Sequence, residues 1–109
     1  MNRLPEVRAS LARMEAARRE TQHHLGVIER QIAKRAERMT ITARAKRRRP
    51  GRRARAWTCI DECVYQAHLA DLTLARLSEI EWLGRGLARQ DAALARMRAQ
   101  CGLHDAALS

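Results

Sequence analysis

The feature that most constrains this chain is a heptad rhythm that runs through its first half. Stepping alternately by three and four residues gives Leu4, Val7, Leu11, Met14, Arg18, Thr21, Leu25, Ile28, Ile32, Arg35, Met39 and Thr42. Eight of these twelve positions are apolar, which is the spacing of a coiled-coil seam. The pattern predicts one long helix over about residues 3–45.

A strongly basic segment, residues 44–55, follows this helix. It carries eight cationic side chains and no acid: Arg44, Lys46, Arg47, Arg48, Arg49, Arg52, Arg53 and Arg55. Pro50 removes a backbone donor and Gly51 permits a turn, so we expect the helix to end in a basic loop over about residues 46–55. Two long helices joined by a short turn become antiparallel neighbours.

The rhythm resumes after the basic segment and predicts a second helix over about residues 56–101, followed by a frayed tail over 102–109. Its seam is expected to run through Ile60, Cys63, Ala67, Ala70, Leu74 and Leu77, and then through Ile80, Leu83, Leu87, Gln90, Leu94, Met97 and Cys101. One residue is dropped between the two runs, which locally overwinds a coiled coil. We therefore expect an all-α fold, an antiparallel two-helix coiled-coil hairpin formed by residues 1–109. The alternative is a third helix, in which Gly84 and Gly86 break the chain and residues 87–101 fold back.

Composition and charge agree with this fold. The chain is 46% hydrophobic, but it has no Phe, and alanine, a residue of long helices, is abundant. The formal net charge of +10 is concentrated in the basic segment. Residues 1–43 are mildly positive and residues 56–109 mildly negative, which modestly favours pairing of the two halves.

The sequence also indicates the compartment. It has no run of 18 apolar residues that could span a membrane, and its first residues lack the apolar core of a secretory signal. An odd number of cysteines, three, argues against a disulfide framework. We expect a cytoplasmic protein.

We expect no catalytic residue, no cofactor and no metal site. Cys59 and Cys63 share a helical face, but His68 points elsewhere and Cys101 is distant along the helix, so no set with zinc spacing converges. The thiols are expected to fill the seam as small apolar groups. Glycine-rich phosphate loops and nucleophile motifs are missing from the sequence. The chain is therefore not expected to be an enzyme.

Two surfaces remain as candidates for binding. The basic segment could be a solvated turn, a site for nucleic acid with steeply salt-dependent affinity, or a contact to an acidic protein or membrane surface. The second helix is apolar on more sides than one partner helix can cover. Leu69, Leu72 and Trp82 are therefore a candidate apolar docking strip, through which the chain could also form a homodimer.

Two heptad arms, Leu4–Met39 and Ile60–Cys101, on either side of a basic break make the chain similar to the FliJ/YscO family of bacterial type III export proteins. The resemblance implies an antiparallel hairpin that acts as a stalk in a hexameric export ATPase ring and touches the export gate or substrate chaperones. It also implies a location at the cytoplasmic face of a membrane-embedded apparatus.

We thus expect a non-enzymatic coiled-coil interaction protein, such as a stalk or escort in type III secretion. The paired end that enters a ring would be formed by Leu4, Leu11, Leu94, Met97 and Cys101. The alternative function is that of a small basic accessory protein that binds nucleic acid through the basic segment.

Overall fold

The protein is all-α. The computed structural model describes residues 3–47 and 56–108, with side chains up to residue 102. Three helices occupy these ranges: α1 (Leu4–Arg47), α2 (Cys59–Ala75) and α3 (Leu77–Leu108). No strand occurs in the described ranges. The predicted all-α hairpin fold is confirmed, and it includes a third helix.

The helices form two compact units. Residues Met1–Gly26 and Ile80–Ser109 make the first, here called the terminal unit. Residues Val27–Glu79 make the second, here called the turn unit. α1 contributes to both units, because its 44 residues continue across the boundary at Gly26.

The terminal unit is an antiparallel helix pair with the seam that the heptad pattern predicts. On α3 the side chains of Leu83 and Leu94 are buried, at 4% and 1% exposure, and the other expected seam positions are half-buried. Arg18, a polar interruption of the α1 seam, forms an ion pair with Asp91, and Glu15 lies 3.5 Å from Arg98. Because later residues of α1 meet earlier residues of α3, the two helices run in opposite directions.

In the turn unit the seam of α1 departs from the predicted rhythm after Ile32. The buried positions are Ile28, Ile32, Ala36 and Thr40, whereas the expected seam residues Arg35, Met39 and Thr42 are exposed. The predicted register is therefore wrong by one residue from position 35 onward. Steps of four replace the alternation of three and four, which moves the buried line around the helix.

The register predicted for α2 is also wrong. Ile60 and Leu74 are 61% and 69% exposed, and Cys63, Ala67 and Ala70 are exposed as well. The positions turned away from solvent follow a neighbouring line that begins with a fully buried carboxylate: Asp61, Val64, Tyr65, His68, Leu69, Leu72 and Thr73. The apolar heptad of α2 thus lies on its outer face.

The break in the second arm lies at Arg76, not at Gly84 and Gly86. Arg76 has φ −109° and ψ 15°, and its N–H donates to the carbonyl oxygens of Thr73 and Leu74. Its guanidinium donates to Gln31 at 2.9 Å and to Glu79 at 3.0 Å, which fixes the break against α1 within the turn unit. α3 runs without interruption through both glycines to Leu108, so residues 87–101 do not fold back.

None of the described helices contains an apolar stretch long enough to cross a membrane.

Candidate functional site

The candidate site lies in the turn unit, where the chain returns from the basic segment and α2 begins. Thr58 caps α2 in an extended conformation. Its hydroxyl accepts the N–H of Asp61 at 3.2 Å, and the Asp61 carboxylate accepts the N–H of Thr58 at 2.9 Å. This reciprocal pair is a capping box, which satisfies two backbone donors at the helix start. The cap sets the residue at which α2 begins.

Asp61 also ties α2 to the end of α1. Its side chain is 2% exposed, and it accepts a hydrogen bond from Arg47 Nη2 at 3.0 Å. Arg44 Nε lies 3.6 Å from the other carboxylate oxygen. Arg44 Nη2 donates to the carbonyl oxygen of Ala56 at 3.1 Å. Arg44 and Arg47 of the basic segment therefore hold the start of α2 against the end of α1.

The surroundings of Asp61 favour its charged form. The N–H of Thr58 lowers the pKa of the carboxyl, and the Thr58 hydroxyl, Arg44 and Arg47 act in the same direction, while burial opposes them. A carboxylate that accepts several hydrogen bonds and faces cations stays ionised at neutral pH. The site therefore keeps a fixed negative charge between the two arginines.

Trp57 packs at the start of α2. Its indole N–H donates to Glu62 at 2.8 Å, and its ring meets that of Tyr65 edge to face, with centroids 6.0 Å apart. Gln66 donates to the second oxygen of Glu62 at 2.9 Å. The bonds from Gln66 and Trp57 lower the pKa of Glu62. The tryptophan, although 42% exposed, is oriented by two residues of α2, Glu62 and Tyr65.

The structure places three of the eight predicted basic residues. Arg44 and Arg47 face Asp61, with side chains 24% and 44% exposed, and Lys46 is exposed. The other five predicted residues, Arg48, Arg49, Arg52, Arg53 and Arg55, lie outside the described residues. The predicted binding segment is thus bordered on both sides by residues with defined contacts.

A second set of cations lies on α1 within the same unit. Arg30, Lys34 and Arg38 recur every four residues and are exposed, so they form one ridge along the helix. Arg35 is exposed beside them. The sequence pattern gave this ridge no role, because its cations are separated by apolar and acidic residues in the chain.

The predicted apolar strip is divided between the two units. Leu69 and Leu72 are half-buried in the turn unit, and Leu69 lines a groove with Leu74 and Leu77. Trp82 belongs to the terminal unit, where it is 61% exposed. Trp82 lines a groove of about 390 Å³ that includes Gln90, whose side-chain oxygen is buried without a partner. The three residues do not share one groove.

An open apolar surface of the turn unit runs along the outer face of α2 and reaches the first residue of α3. We call it the outer stripe and define it as Ile60, Cys63, Ala67, Ala70, Leu74 and Leu77, all of which are exposed. The heptad pattern finds these residues but assigns them to the interior. Asp61 is the residue that the pattern misses, although Thr58 and Asp61 match the spacing of a capping box, which marks a helix start.

The thiols and carboxylates do not gather into a metal site in the described part of the chain. No group of three or more His, Cys, Asp or Glu side chains is placed to hold an ion there. All three cysteines are free, and Cys59 and Cys63 are exposed, so the prediction that they fill the seam is wrong for these two.

No protein-family model, no curated protein and no solved structure matches the chain.

Proposed function

We propose that this protein is a non-enzymatic helical interaction protein whose basic segment binds an acidic surface of a partner protein. The contact of Asp61 with Arg44 and Arg47 carries the proposal. It joins the last turn of α1 to the first turn of α2, so the residues on either side of positions 48–55 are held together before any partner arrives. A binding segment with anchored ends loses less conformational entropy on binding than a free tail.

The most specific form of this proposal is that the protein is a stalk or escort that acts with the export ATPase of a type III secretion apparatus. The antiparallel seam of the terminal unit and the basic segment between two helical arms support it, because both resemble the hairpins of the FliJ/YscO family. In this reading the terminal unit, with Leu94 in its interior and Leu4, Val7 and Cys101 around a groove near its end, enters the ring. The basic segment contacts acidic side chains of a second partner, such as the export gate or a chaperone.

The test is direct binding of the fluorescently labelled chain to a purified hexameric type III export ATPase. Binding to an acidic domain of the export gate or of a substrate chaperone is measured separately. Arg48, Arg49, Arg52 and Arg53 are replaced together by Gln, and Arg47 is kept because it bonds Asp61. We expect this variant to lose binding to the acidic partner and to retain binding to the ring. Absence of ring binding by the unaltered protein contradicts the stalk role.

A matched control removes an equal number of charges elsewhere. Arg30, Lys34, Arg35 and Arg38 lie on exposed positions of α1 and are replaced together by Gln. We expect this control to bind both proteins as the unaltered chain does. An equal loss with both quadruple variants would show that total charge, and not the basic segment, governs the interaction.

A second candidate function, nucleic-acid binding, is favoured by the ridge of Arg30, Lys34 and Arg38. Cations repeated along one helix face, together with the basic segment of the same unit, can neutralise several phosphates. In this case both quadruple variants weaken binding to a nonspecific duplex, measured by fluorescence anisotropy at low salt. The affinity also falls by orders of magnitude near about 200 mM salt. A chain that binds no duplex at low salt contradicts this second function.

A further inference from the structure

We propose that the groove beside Trp82 in the terminal unit binds an adenine nucleotide. The groove has a volume of about 390 Å³, and every residue that lines it, from α1 or from α3, belongs to this unit. That volume lies within the range of about 300–1,000 Å³ that is typical of small-ligand sites. The inference does not rest on the proposed function, because the basic segment is not part of the terminal unit.

The groove exists because small residues stand where large side chains would fill the space between the helices. Gly86 lies one turn after Trp82 on α3, and Ala17 lines the groove from α1. Trp82 is 61% exposed, so its indole forms a wall of the groove, whereas Leu83 is buried and gives it an apolar floor. An exposed indole beside an apolar floor accepts a flat ring by stacking, as aromatic side chains accept bases in single-strand binding proteins.

Gln90 supplies the polar group that faces a base. It lines the groove, and its side-chain oxygen is buried without a hydrogen-bond partner among the described residues. A buried acceptor without a donor is unfavourable, and a ligand N–H that reaches the oxygen removes this cost. The terminal torsion of glutamine is broad, so the amide can turn toward the groove. A glutamine amide pairs with adenine through both of its atoms: the oxygen accepts from the N6 amine and the nitrogen donates to N7.

Arg89 supplies the positive charge for a phosphate. A Cβ built on Gly86 would lie 3.7 Å from Arg89 Nη2, so the guanidinium lies beside the groove. Arg89 forms no ion pair with a residue that the structure describes, whereas Arg85, one turn earlier, lies 4.0 Å from Glu81. The described residues that line the groove include no acid. Since guanidinium groups bind phosphates through parallel N–H donors, the wall, the acceptor and the cation match the base and phosphate of an adenine nucleotide.

The first test is the fluorescence of the full chain with Trp57→Phe, in which Trp82 is the single tryptophan. AMP is titrated to about 5 mM, because an open groove gives a weak affinity. We expect saturable quenching as the base stacks on the indole. Gly86→Leu fills the groove and should weaken AMP binding at least roughly tenfold.

The matched control is Gly84→Leu, which adds the same side chain at an exposed position of α3 that does not line the groove. A Cβ at Gly84 meets no atom within 4 Å, so this variant should bind AMP as its parent does. Circular dichroism checks that all variants keep their helix content. Absence of quenching by AMP in the parent, or an equal loss of binding in the two leucine variants, would overturn the proposal.

The second test identifies the contact of Gln90 with the base. Inosine monophosphate (IMP) has an oxygen in place of the N6 amine, so it should bind roughly tenfold more weakly than AMP. Gln90→Leu should reduce the affinity for AMP to that for IMP, because the acceptor that distinguishes the two bases is gone. Equal binding of AMP and IMP by the parent, or a Gln90→Leu variant that still prefers AMP, would contradict the pairing of Gln90 with adenine.

The third test concerns the phosphate and the source of the nucleotide. Arg89→Gln should lower the affinity for AMP to that for adenosine, which has no phosphate; an unchanged preference for AMP would contradict the role of Arg89. An oligoadenylate strand of about eight nucleotides distinguishes the two sources of adenine. If it quenches Trp82 at lower concentration than AMP and Gly86→Leu abolishes this, the groove binds an adenosine of a single strand. If AMP binds at least as tightly as the strand, the ligand is a free nucleotide.

Discussion

Asp61 on α2 and Arg47 on α1 form a hydrogen-bonded ion pair at 3.0 Å, in which the carboxylate is 2% exposed and the guanidinium is 44% exposed. The pair lies at the start of α2, on the side that packs against α1, where an interior built only from apolar residues would have an apolar side chain. A buried charge is tolerated only when it is paired and hydrogen-bonded, and Asp61 has Thr58, Arg44 and Arg47 as partners. The pair fixes one alignment of α2 on α1, since a shift of either helix would leave the carboxylate without its cations.

The first prediction concerns pH. The pKa of Asp61 in the folded chain lies below its ordinary value of 3.8, so the unfolded chain takes up the proton more readily. The stability contributed by this group is therefore present above that value and is lost as the pH falls through the folded pKa. Asp61→Asn should melt at a lower temperature than the unaltered chain at pH 7, and the difference should shrink toward pH 3. Thermal melts by circular dichroism measure both.

The control for this experiment is Asp71→Asn, which removes an exposed carboxylate from the same helix. At pH 7 it should melt like the unaltered chain at concentrations where the protein is monomeric. If Asp61→Asn also melts like the unaltered chain at pH 7, the ion pair does not stabilise the turn unit.

Much of the fold could be predicted from the sequence. The heptad rhythm from Leu4 to Leu25 and from Ile80 to Cys101 identifies the interior of the terminal unit, because large apolar side chains occupy most of these positions. The shift of pattern after Leu77 also falls next to the observed break at Arg76. The two glycines do not break α3, since an isolated glycine inside a helix weakens it only modestly.

The register of α2 could not be read from hydrophobicity. This helix carries two apolar lines: an exposed line through Ile60 and Leu74, and a half-buried line through Val64 and Leu69. The second line begins with Asp61, which a hydrophobic pattern rejects. Only the pairing of Asp61 with cations more than ten residues earlier decides between the two lines, and such distant partners are not visible in local spacing.

The second prediction compares two leucines that differ in burial. Leu94 is 1% exposed in the terminal unit, and Leu94→Ala should cost about 2–4 kcal/mol of unfolding free energy, because it removes buried contacts and leaves a cavity. Leu74 is 69% exposed, so Leu74→Ala should cost less than about 0.5 kcal/mol in the monomer. Urea unfolding at low micromolar concentration measures both values. Equal costs would contradict the assignment of Leu94 to the interior and Leu74 to the surface.

The third prediction concerns Gly84. It lies within α3, and a Cβ built on it meets no atom within 4 Å. Gly84→Ala should therefore stabilise the chain by about 1 kcal/mol, since alanine loses less backbone entropy in a helix and meets no clash. A rise of the melting temperature by several degrees is the expected readout. Gly102→Ala, near the helix end, should give a smaller rise, and a destabilised Gly84→Ala variant would contradict the continuous helix.

The last prediction tests the altered register of α1 in the turn unit. Ala36 is fully buried, whereas its neighbour Arg35, which the heptad rhythm assigns to the seam, is exposed. Ala36→Leu should destabilise the chain by about 1–3 kcal/mol, because a larger side chain overpacks a filled interior. Arg35→Leu should change the unfolding free energy by less than about 0.5 kcal/mol, as exposed substitutions do. If Arg35→Leu stabilises the chain and Ala36→Leu is tolerated, the seam follows the heptad rhythm through Arg35, and steps of four do not describe α1. Urea unfolding of the two variants beside the unaltered chain distinguishes these registers.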